Sequence, residues 1–464
     1  MSRRDSLPGS IPQVKDRYVL HDLGHVIAIL HLLENPRYYA EHTVARYVKE
    51  HPRLGSSDRA LIGGLVFALV RWRRRIDEAI DRTPEGPAAL GEDRSLRILM
   101  ACGVLLRVAG YGPEAVLSGI MAQTAAPIGE RVFAGWLDRA AGTALSLDPS
   151  EAASPSELAL RTSFPDWIIE RWVHEYGWER ARAIAVASRS RAPVALRVNT
   201  LRAGRTEVMD ALSREGIRAN ATSLSPWGIL LEEPVRLVES PLYREGKLEF
   251  QDEGSQLVAL VSGAKSGMRV VDACAGGGGK TLALAAMMED QGELLALDTN
   301  AGKLVELRKR AHRAGVHIVT TACAEDDAAY GSWTGTADIV LVDAPCSGSG
   351  TWRRMPDGPA HLTPNELVRL ARAQREILTR CGPLVRTGGR LIYATCSLFR
   401  EENEQVVERW LRENPAFHTL DVRTWLPRHL ADTLVESSYL ALAPDRHSTD
   451  GFFAAVMERI TTTA

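Results

Sequence analysis

Asp272-Ala-Cys-Ala-Gly-Gly-Gly-Gly-Lys-Thr281 is flanked by Arg269-Val-Val on one side and by Leu282-Ala-Leu-Ala-Ala-Met-Met288 on the other. The short β-branched run ending in Asp272 reads as a strand, and the longer Ala/Leu run reads as a helix over 281–288. Between them, four consecutive glycines let the backbone approach a ligand without a Cβ in the way. The N–H groups at the start of the following helix would face an anionic group. A plain strand–turn–helix rarely needs four glycines.

The same alternation continues downstream. Strands are expected at 293–298, 318–321, 338–343, 390–395 and 451–457. Helices are expected at 301–314, 367–385 (ending in Gly388-Gly389) and 402–414. Strands alternating with helices predict an α/β, doubly wound, mainly parallel sheet of Rossmann-like type, with ligands at the carboxyl ends of its strands. Upstream the texture differs. Residues 1–16 read as a flexible tail, and 17–148 as an all-helical domain with runs at 60–76, 95–108 and after Pro113. Ser57 and Asp58 are plausible N-caps for the first of these. A Ser/Ala/Pro-rich linker follows at about 148–155, then a small mixed α/β region over 155–250 with helices at 167–176 and 179–188 and strands at 195–198 and 228–231. The sheet domain occupies 251–462.

The 464 residues suit two or three domains. Apolar content of 45% and charged content of 25% read as soluble and globular. With a formal net charge of −2 the chain is no polycation, so any nucleic-acid surface must be local. Six widely spaced cysteines argue against a disulfide framework, and without CxxC or HExxH no metal is expected. The chain carries no apolar run of membrane-spanning length and no apolar signal-peptide core. A cytoplasmic, thiol-reducing location and a monomer are the default expectations.

Three nucleotide-type ligands compete for the glycine loop. A P-loop would need glycine at Cys274, and a dinucleotide fingerprint would need it at Thr281. The remaining reading is S-adenosylmethionine, its methionine carboxylate against Cys274, Ala275, Gly276, Gly277, Gly278, Gly279 and Lys280. Asp298 ends the next strand about 20 residues on, where an acid typically holds ribose hydroxyls; the alternative is an acid complementing a helix dipole. Asp326 or its neighbour Glu325, after the third strand, is the candidate for the adenine.

Two cysteines also stand just past expected strand ends. Asp338-Ile-Val-Leu-Val-Asp343 leads into Ala344-Pro-Cys346-Ser, and Leu391-Ile-Tyr-Ala-Thr395 ends in Cys396-Ser397. Cys102, Cys323 and Cys381 lack that setting and are expected in cores, and Cys274 is expected to pack. Two thiols suit methylation of a pyrimidine carbon. A thiolate adding to carbon 6 of a cytosine makes carbon 5 enamine-like and able to accept a methyl group. A second thiol can assist loss of the 5-proton and release of the first. Asp343 could bond the amino group and N3 of the base, and Lys280 could orient it. Which thiol attacks stays open on these grounds.

These residues closely resemble the NOP2/Sun family of RNA cytosine-5 methyltransferases, in particular its bacterial RsmB (Sun/Fmu) branch. The matching stretches are Phe250-Gln-Asp-Glu-Gly-Ser-Gln256, the loop 272–281, Asp343-Ala-Pro-Cys-Ser347, Tyr393-Ala-Thr-Cys-Ser397 with Glu402-Asn403, and Asp450-Gly-Phe-Phe453. The resemblance implies Cys396 as nucleophile, Cys346 in product release, and RNA as partner. Ser163-Phe-Pro-Asp-Trp167 and Leu196-Arg-Val-Asn-Thr200 resemble the region before the family's catalytic domain. Asp58-Arg-Ala-Leu61 and Leu69-Val-Arg71 resemble the NusB-like RNA-binding domain of the RsmB branch, which implies small-subunit ribosomal RNA as substrate. Transfer RNA, or a non-catalytic RNA-binding relative, is the alternative. One departure stands out: the family loop reads Cys-Ala-Ala-Pro-Gly-Gly-Lys-Thr, and here Gly276 and Gly277 replace alanine and proline. The loop is therefore expected to be floppier and to cost more entropy to order. Arg71, within Arg71-Trp-Arg-Arg-Arg75, and Arg353-Arg354 are candidates for RNA phosphates. Trp352 is either a stacking platform for a base or a packing residue.

Overall fold

The computed structural model describes residues 11–12, 19–84, 93–124 and 130–461. The tail expected at 1–16 lies outside them apart from residues 11–12. The chain divides into two compact units, Met1–Arg191 with Trp352–Leu362, and Ala192–Thr351 with Thr363–Ala464.

The first unit is helical. Its main helices are α1 (Val19–Leu32), α2 (Ala40–Glu50), α3 (Ser56–Arg82), α4 (Arg94–Val108), α5 (Pro113–Met121), α6 (Glu130–Ser146), α7 (Pro155–Thr162), α8 (Asp166–Tyr176) and α9 (Trp178–Ala187). Helix α4 is buried along Ile98–Leu106 on every side, as expected of a helix apolar all round, and forms the centre. Its start is capped by Asp93, whose carboxylate accepts from the Ser95 and Leu96 amides. In α3, Asp58 caps from the third helical position, accepting from the Gly55 amide at 2.7 Å, so the helix begins earlier than expected. No break in packing falls at 148–155, because α7 lies on α3 and α7–α9 stay with this unit.

Two expectations are corrected here, and the choice left open for Trp352 is decided. Arg71 faces inward on α3, and its guanidinium donates to the carbonyls of Arg189, Ser190 and Arg353 at 2.8–2.9 Å. It serves backbone carbonyls and does not present itself to a phosphate. Arg353 is 4% exposed, so it too is structural. Trp352, 1% exposed, packs with Phe164 and Trp172 at ring distances of 5.7 and 5.9 Å and offers no stacking face. Arg354 is exposed.

The second unit holds two sheets. The smaller contains β1 (Val194–Val198), β2 (Ala219–Ala221), β3 (Gly228–Leu231) and β4 (Leu248–Phe250), all antiparallel in the order β2-β3-β1-β4, with α10 (Arg205–Arg214) and α11 (Pro241–Arg244). After α12 (Glu253–Leu260) comes the large sheet. Its elements are β5 (Arg269–Asp272), α13 (Gly279–Met287), β6 (Glu293–Asp298), α14 (Ala301–Ala314), β7 (Val319–Cys323), β8 (Ala337–Asp343), β9 (Val385–Thr395), β10 (Phe417–Leu420), β11 (Val435–Glu436), β12 (Tyr439–Leu442) and β13 (Phe452–Arg459). The order β9-β8-β5-β6-β7 is parallel, and β13 joins β9 antiparallel with β12 and β10 beside it. The expected doubly wound sheet is present, and the chain reverses direction across it between β5 and β8.

Sequence and structure part at two places. The helix expected to reach 385 stops at Cys381, and β9 starts at Val385. Val385 pairs Ala337 while Arg390 pairs Ile339, so residues 386–389, with Gly388 at φ 69°, bulge out of the strand. Cys323, expected in a core, is exposed at the end of β7, whereas Cys102 and Cys381 are buried. Among the described residues no helix is long and apolar enough to cross a membrane.

The two sheets are joined through a buried amide. Asn199, just past β1, donates to the carbonyls of Gly246 and Ala314 at 2.8 and 2.9 Å. Asn199→Leu would leave the Gly246 carbonyl without this donor and the Ala314 carbonyl with Arg202 Nε alone, at 3.2 Å. Chemical denaturation is expected to show a loss of about 2 kcal/mol or more.

Candidate active site

The crevice at the chain reversal is where a doubly wound sheet binds ligands. The glycine loop leaves the carboxyl end of β5 there, the Pro345-Cys346 turn leaves β8, and Cys396 leaves β9. Adjacent parallel pairing sets the two cysteines side by side. Asp343 is opposite Ala394 in register, and the Ala344 amide donates to the Ala394 carbonyl at 2.8 Å. The Gly350 amide then donates to the Cys396 carbonyl at 2.9 Å. The loops meet so closely that a Cβ at Gly350 would lie 2.2 Å from the Gly451 carbonyl oxygen.

The outcome is a sulfur pair. Cys346 Sγ and Cys396 Sγ stand 3.4 Å apart, both half-buried. The hydrogen bond shared with Cys396, together with burial, pushes the Cys346 thiol well up from its ordinary value. A carboxylate beneath them holds the geometry. Glu402, wholly buried, accepts from the Ser347 amide at 2.8 Å, from the hydroxyls of Ser347 and Ser397, and from Gln374 Nε2 at 3.0 Å. The serine after each cysteine is thus bonded to one side chain. Asn403 reaches the Ser397 carbonyl at 2.9 Å, and the Leu398 amide donates to Ser349 Oγ at 2.7 Å. The sequence carried a trace of this hub in the Glu402-Asn403 pair, but nothing local assigned it a partner.

Beside the thiols, Lys280 Nζ donates to Asp343 Oδ2 at 2.7 Å and lies 5.1 Å from the centre of the Phe452 ring. Burial alone would lower the Lys280 pKa. The Asp343 carboxylate outweighs it, with further help from Cys396, and the amine stays protonated above its ordinary range. Asp272 is fully buried; Thr281 donates to its Oδ2 at 2.7 Å, while Oδ1 has no partner. Burial pushes its carboxyl up to about 7.

The glycine loop is bound on several sides. The Gly276 amide donates to Asp298 Oδ2 at 2.9 Å, with Gly276 at φ 55°. Gly278, at φ 86°, lies against α14, where a Cβ would come within 2.6 Å of Leu307 Cγ. Arg310 Nη1 donates to the Gly277 carbonyl at 2.6 Å. The floppy loop expected from its four glycines is therefore tied at three consecutive residues. Asn300 caps α14 by accepting from the Lys303 amide, and Asp298 at the strand end accepts from the Asn300 amide at 2.8 Å with its other oxygen. Cys274 packs on the neighbouring core, and burial raises its thiol well above the ordinary value. Cys346, Cys396, Asp343, Lys280, the loop and Asp298 thus form one connected group. Asp326 and Glu325 are exposed beyond β7, where Asp326 accepts from the Ala328 amide. Arg71, Arg353 and Arg354 belong to the helical unit.

Comparison with known proteins places this geometry in a family. Residues 259–458 match the 16S rRNA methyltransferase RsmB/F model, and 164–238 match the ferredoxin-like domain of RsmF/B-like methyltransferases. A Bacillus subtilis protein named "Probable ribosomal RNA small subunit methyltransferase B" is 34% identical over 65% of this chain and 68% of its own length. "Ribosomal RNA small subunit methyltransferase B" of Xylella fastidiosa (strain Temecula1) is 31% identical over 76% and 80%. The chain belongs to the RsmB/F family of 16S rRNA methyltransferases. Among solved structures, a methyltransferase homologue from Pyrococcus horikoshii is 28% identical with a TM-score of 0.57, over 67% of this chain and all of that one. PH0851 shares the fold over 97% of the chain, with a TM-score of 0.72 at 24% identity.

As a member of the RsmB/F family the chain is a methyltransferase that uses S-adenosylmethionine. The crevice fits that cofactor. Asp272 Oδ1 is a buried acceptor with no donor, and a Cβ at Gly276 would meet nothing within 4 Å, so the loop has open room on its ligand side. Removing the hub should disturb this site at a distance from the cofactor. Glu402→Ala strips four donors of their acceptor, so thermal melting is expected to report a loss of about 3 kcal/mol or more. Methyl transfer should fall at least tenfold as the two thiols drift apart. A fully active, equally stable variant would rule the hub out.

Proposed function

We propose that this RsmB/F-family enzyme methylates carbon 5 of a cytosine in small-subunit ribosomal RNA, with Cys396 as nucleophile and Cys346 assisting release. The observation that carries the proposal is the pair of sulfurs 3.4 Å apart next to the Lys280–Asp343 ion pair. Two core cysteines would need neither an ion pair beside them nor a carboxylate hub beneath them.

The resemblance to the NOP2/Sun family assigns the roles, and the surroundings are compatible with them. The bond with Cys396, together with burial, pushes the Cys346 thiol up, which suits a proton donor. The Lys280 ammonium, held by Asp343, lies within the field of Cys396. The attack of the Cys396 thiolate on carbon 6 forms an S–C bond and moves electron density toward N3, which takes a proton from water, while Asp343, held by Lys280, accepts from the N3–H so formed. Carbon 5 is then enamine-like. S-adenosylmethionine supplies the electrophilic methyl group. As the C–S bond breaks, Cys346 gives its proton to the departing Cys396 sulfur and takes the 5-proton in its place, which restores the aromatic ring and leaves both thiols protonated. Gly276–Gly279 and Asp272 would hold the methionine end of the cofactor, Asp298 the ribose, and Asp326 the adenine. A target base within a duplex has to be turned out to reach sulfurs at the floor of a crevice.

The helical unit is the NusB-like RNA-binding part of this reading, with Arg354 the remaining basic candidate near 352–362. A ribosomal substrate and free thiols both suit the cytoplasm.

Cys396→Ala is expected to abolish methyl transfer and all covalent attachment to RNA. Cys346→Ala should instead accumulate a protein–RNA adduct that survives denaturing electrophoresis, provided cofactor is present. Bisulfite sequencing of ribosomal RNA with and without the gene should show one 5-methylcytosine lost. Normal turnover by the Cys396 variant would remove the assignment.

A further inference from the structure

Four consecutive glycines make up the cofactor loop, and each adds conformations that binding must freeze out. Here the Gly277 carbonyl is gripped by Arg310 Nη1 at 2.6 Å. Arg310 lies three residues after Leu307 on α14, so both face the loop; Leu307 seats Gly278 while Arg310 holds Gly277. The other edge of the same guanidinium is anchored. Its Nε and Nη2 donate to Glu249 Oε2 at 3.3 and 2.9 Å, and Glu249 is 2% exposed on β4. Arg313 pairs with the second oxygen of Glu249, and Arg197 stands opposite Glu249 in the β1–β4 register.

We propose that Arg310, anchored by Glu249 of the small sheet, is a positioning residue that orders the Gly276–Gly279 loop for S-adenosylmethionine. This rests on the loop being the cofactor site. Arginine suits the task because its planar fork can serve the carboxylate and the carbonyl at once. A buried ion pair with no such function would need only the Glu249 contacts. The further bond to the carbonyl of Gly277, in the middle of the glycine loop, separates the two roles.

The test is Arg310→Lys. Lysine keeps the charge opposite Glu249 but cannot also reach the Gly277 carbonyl. Calorimetric titration with S-adenosylhomocysteine is expected to show about tenfold weaker binding, the loss of one charge-assisted hydrogen bond. KM for the cofactor should rise to match, with kcat at saturation within about twofold. The ligand-free thermal midpoint should move by no more than about 2 °C, since the ion pair persists. Amide exchange across 276–279 without ligand should quicken. Wild-type affinity in Arg310→Lys would overturn the proposal, as would unchanged amide exchange across 276–279. If the wild-type chain itself fails to bind S-adenosylhomocysteine, the cofactor-site reading falls first.

Discussion

Glu402 accepts from the serine that follows each of two cysteines fifty residues apart in the chain. Parallel pairing of β8 with β9 brings the two strand ends into line, but pairing alone sets backbone positions to within a side chain's reach and no better. The carboxylate draws both post-strand turns onto one point, and the sulfurs above it meet at 3.4 Å. A buried, multiply bonded carboxylate is costly to disturb, because every donor it serves would be left without water or partner. That cost keeps the crevice rigid at the place where thiol chemistry needs reach and angle.

The charges around the pair are arranged with the same economy. Lys280 stands at the start of α13, next to the glycine loop, yet its partner Asp343 ends β8 next to Cys346. One ion pair therefore links the cofactor side of the crevice to the thiol side. Asp272, buried with one oxygen unpartnered, lies within the same field. Structural networks also shift pKa values. What sets this one apart is that the shifted groups sit at the carboxyl ends of adjacent strands.

The glycine loop shows how a local weakness is offset from afar. Four glycines predict a loose turn on entropy grounds, and on its own the segment would be one. Asp298, Arg310 and Leu307 hold three successive glycines from β6 and α14. A similar lesson comes from the helical unit, where Arg71 and Arg353 look like phosphate binders in a basic stretch. Arg71 instead serves three backbone carbonyls, which need donors more than a surface needs charge, and Arg353 is buried.

The amino-acid sequence by itself determined the α/β alternation, the helical region before it, the glycine turn and the position of two cysteines just past strand ends. These are matters of local pattern: side-chain period, turn residues and motif adjacency act within a few residues of chain. Only the tertiary structure decided that the sulfurs touch, that Glu402 underlies both, that Arg310 reaches Gly277, and that Arg71 points inward. It also moved the start of β9 to Val385, because pairing with Ala337 and a bulge over 386–389 outweigh the helical pattern there. Each of those facts depends on which distant residue arrives as a neighbour. A hydrogen bond between residues 33, 50 or 282 positions apart leaves no periodic trace in either partner's own surroundings.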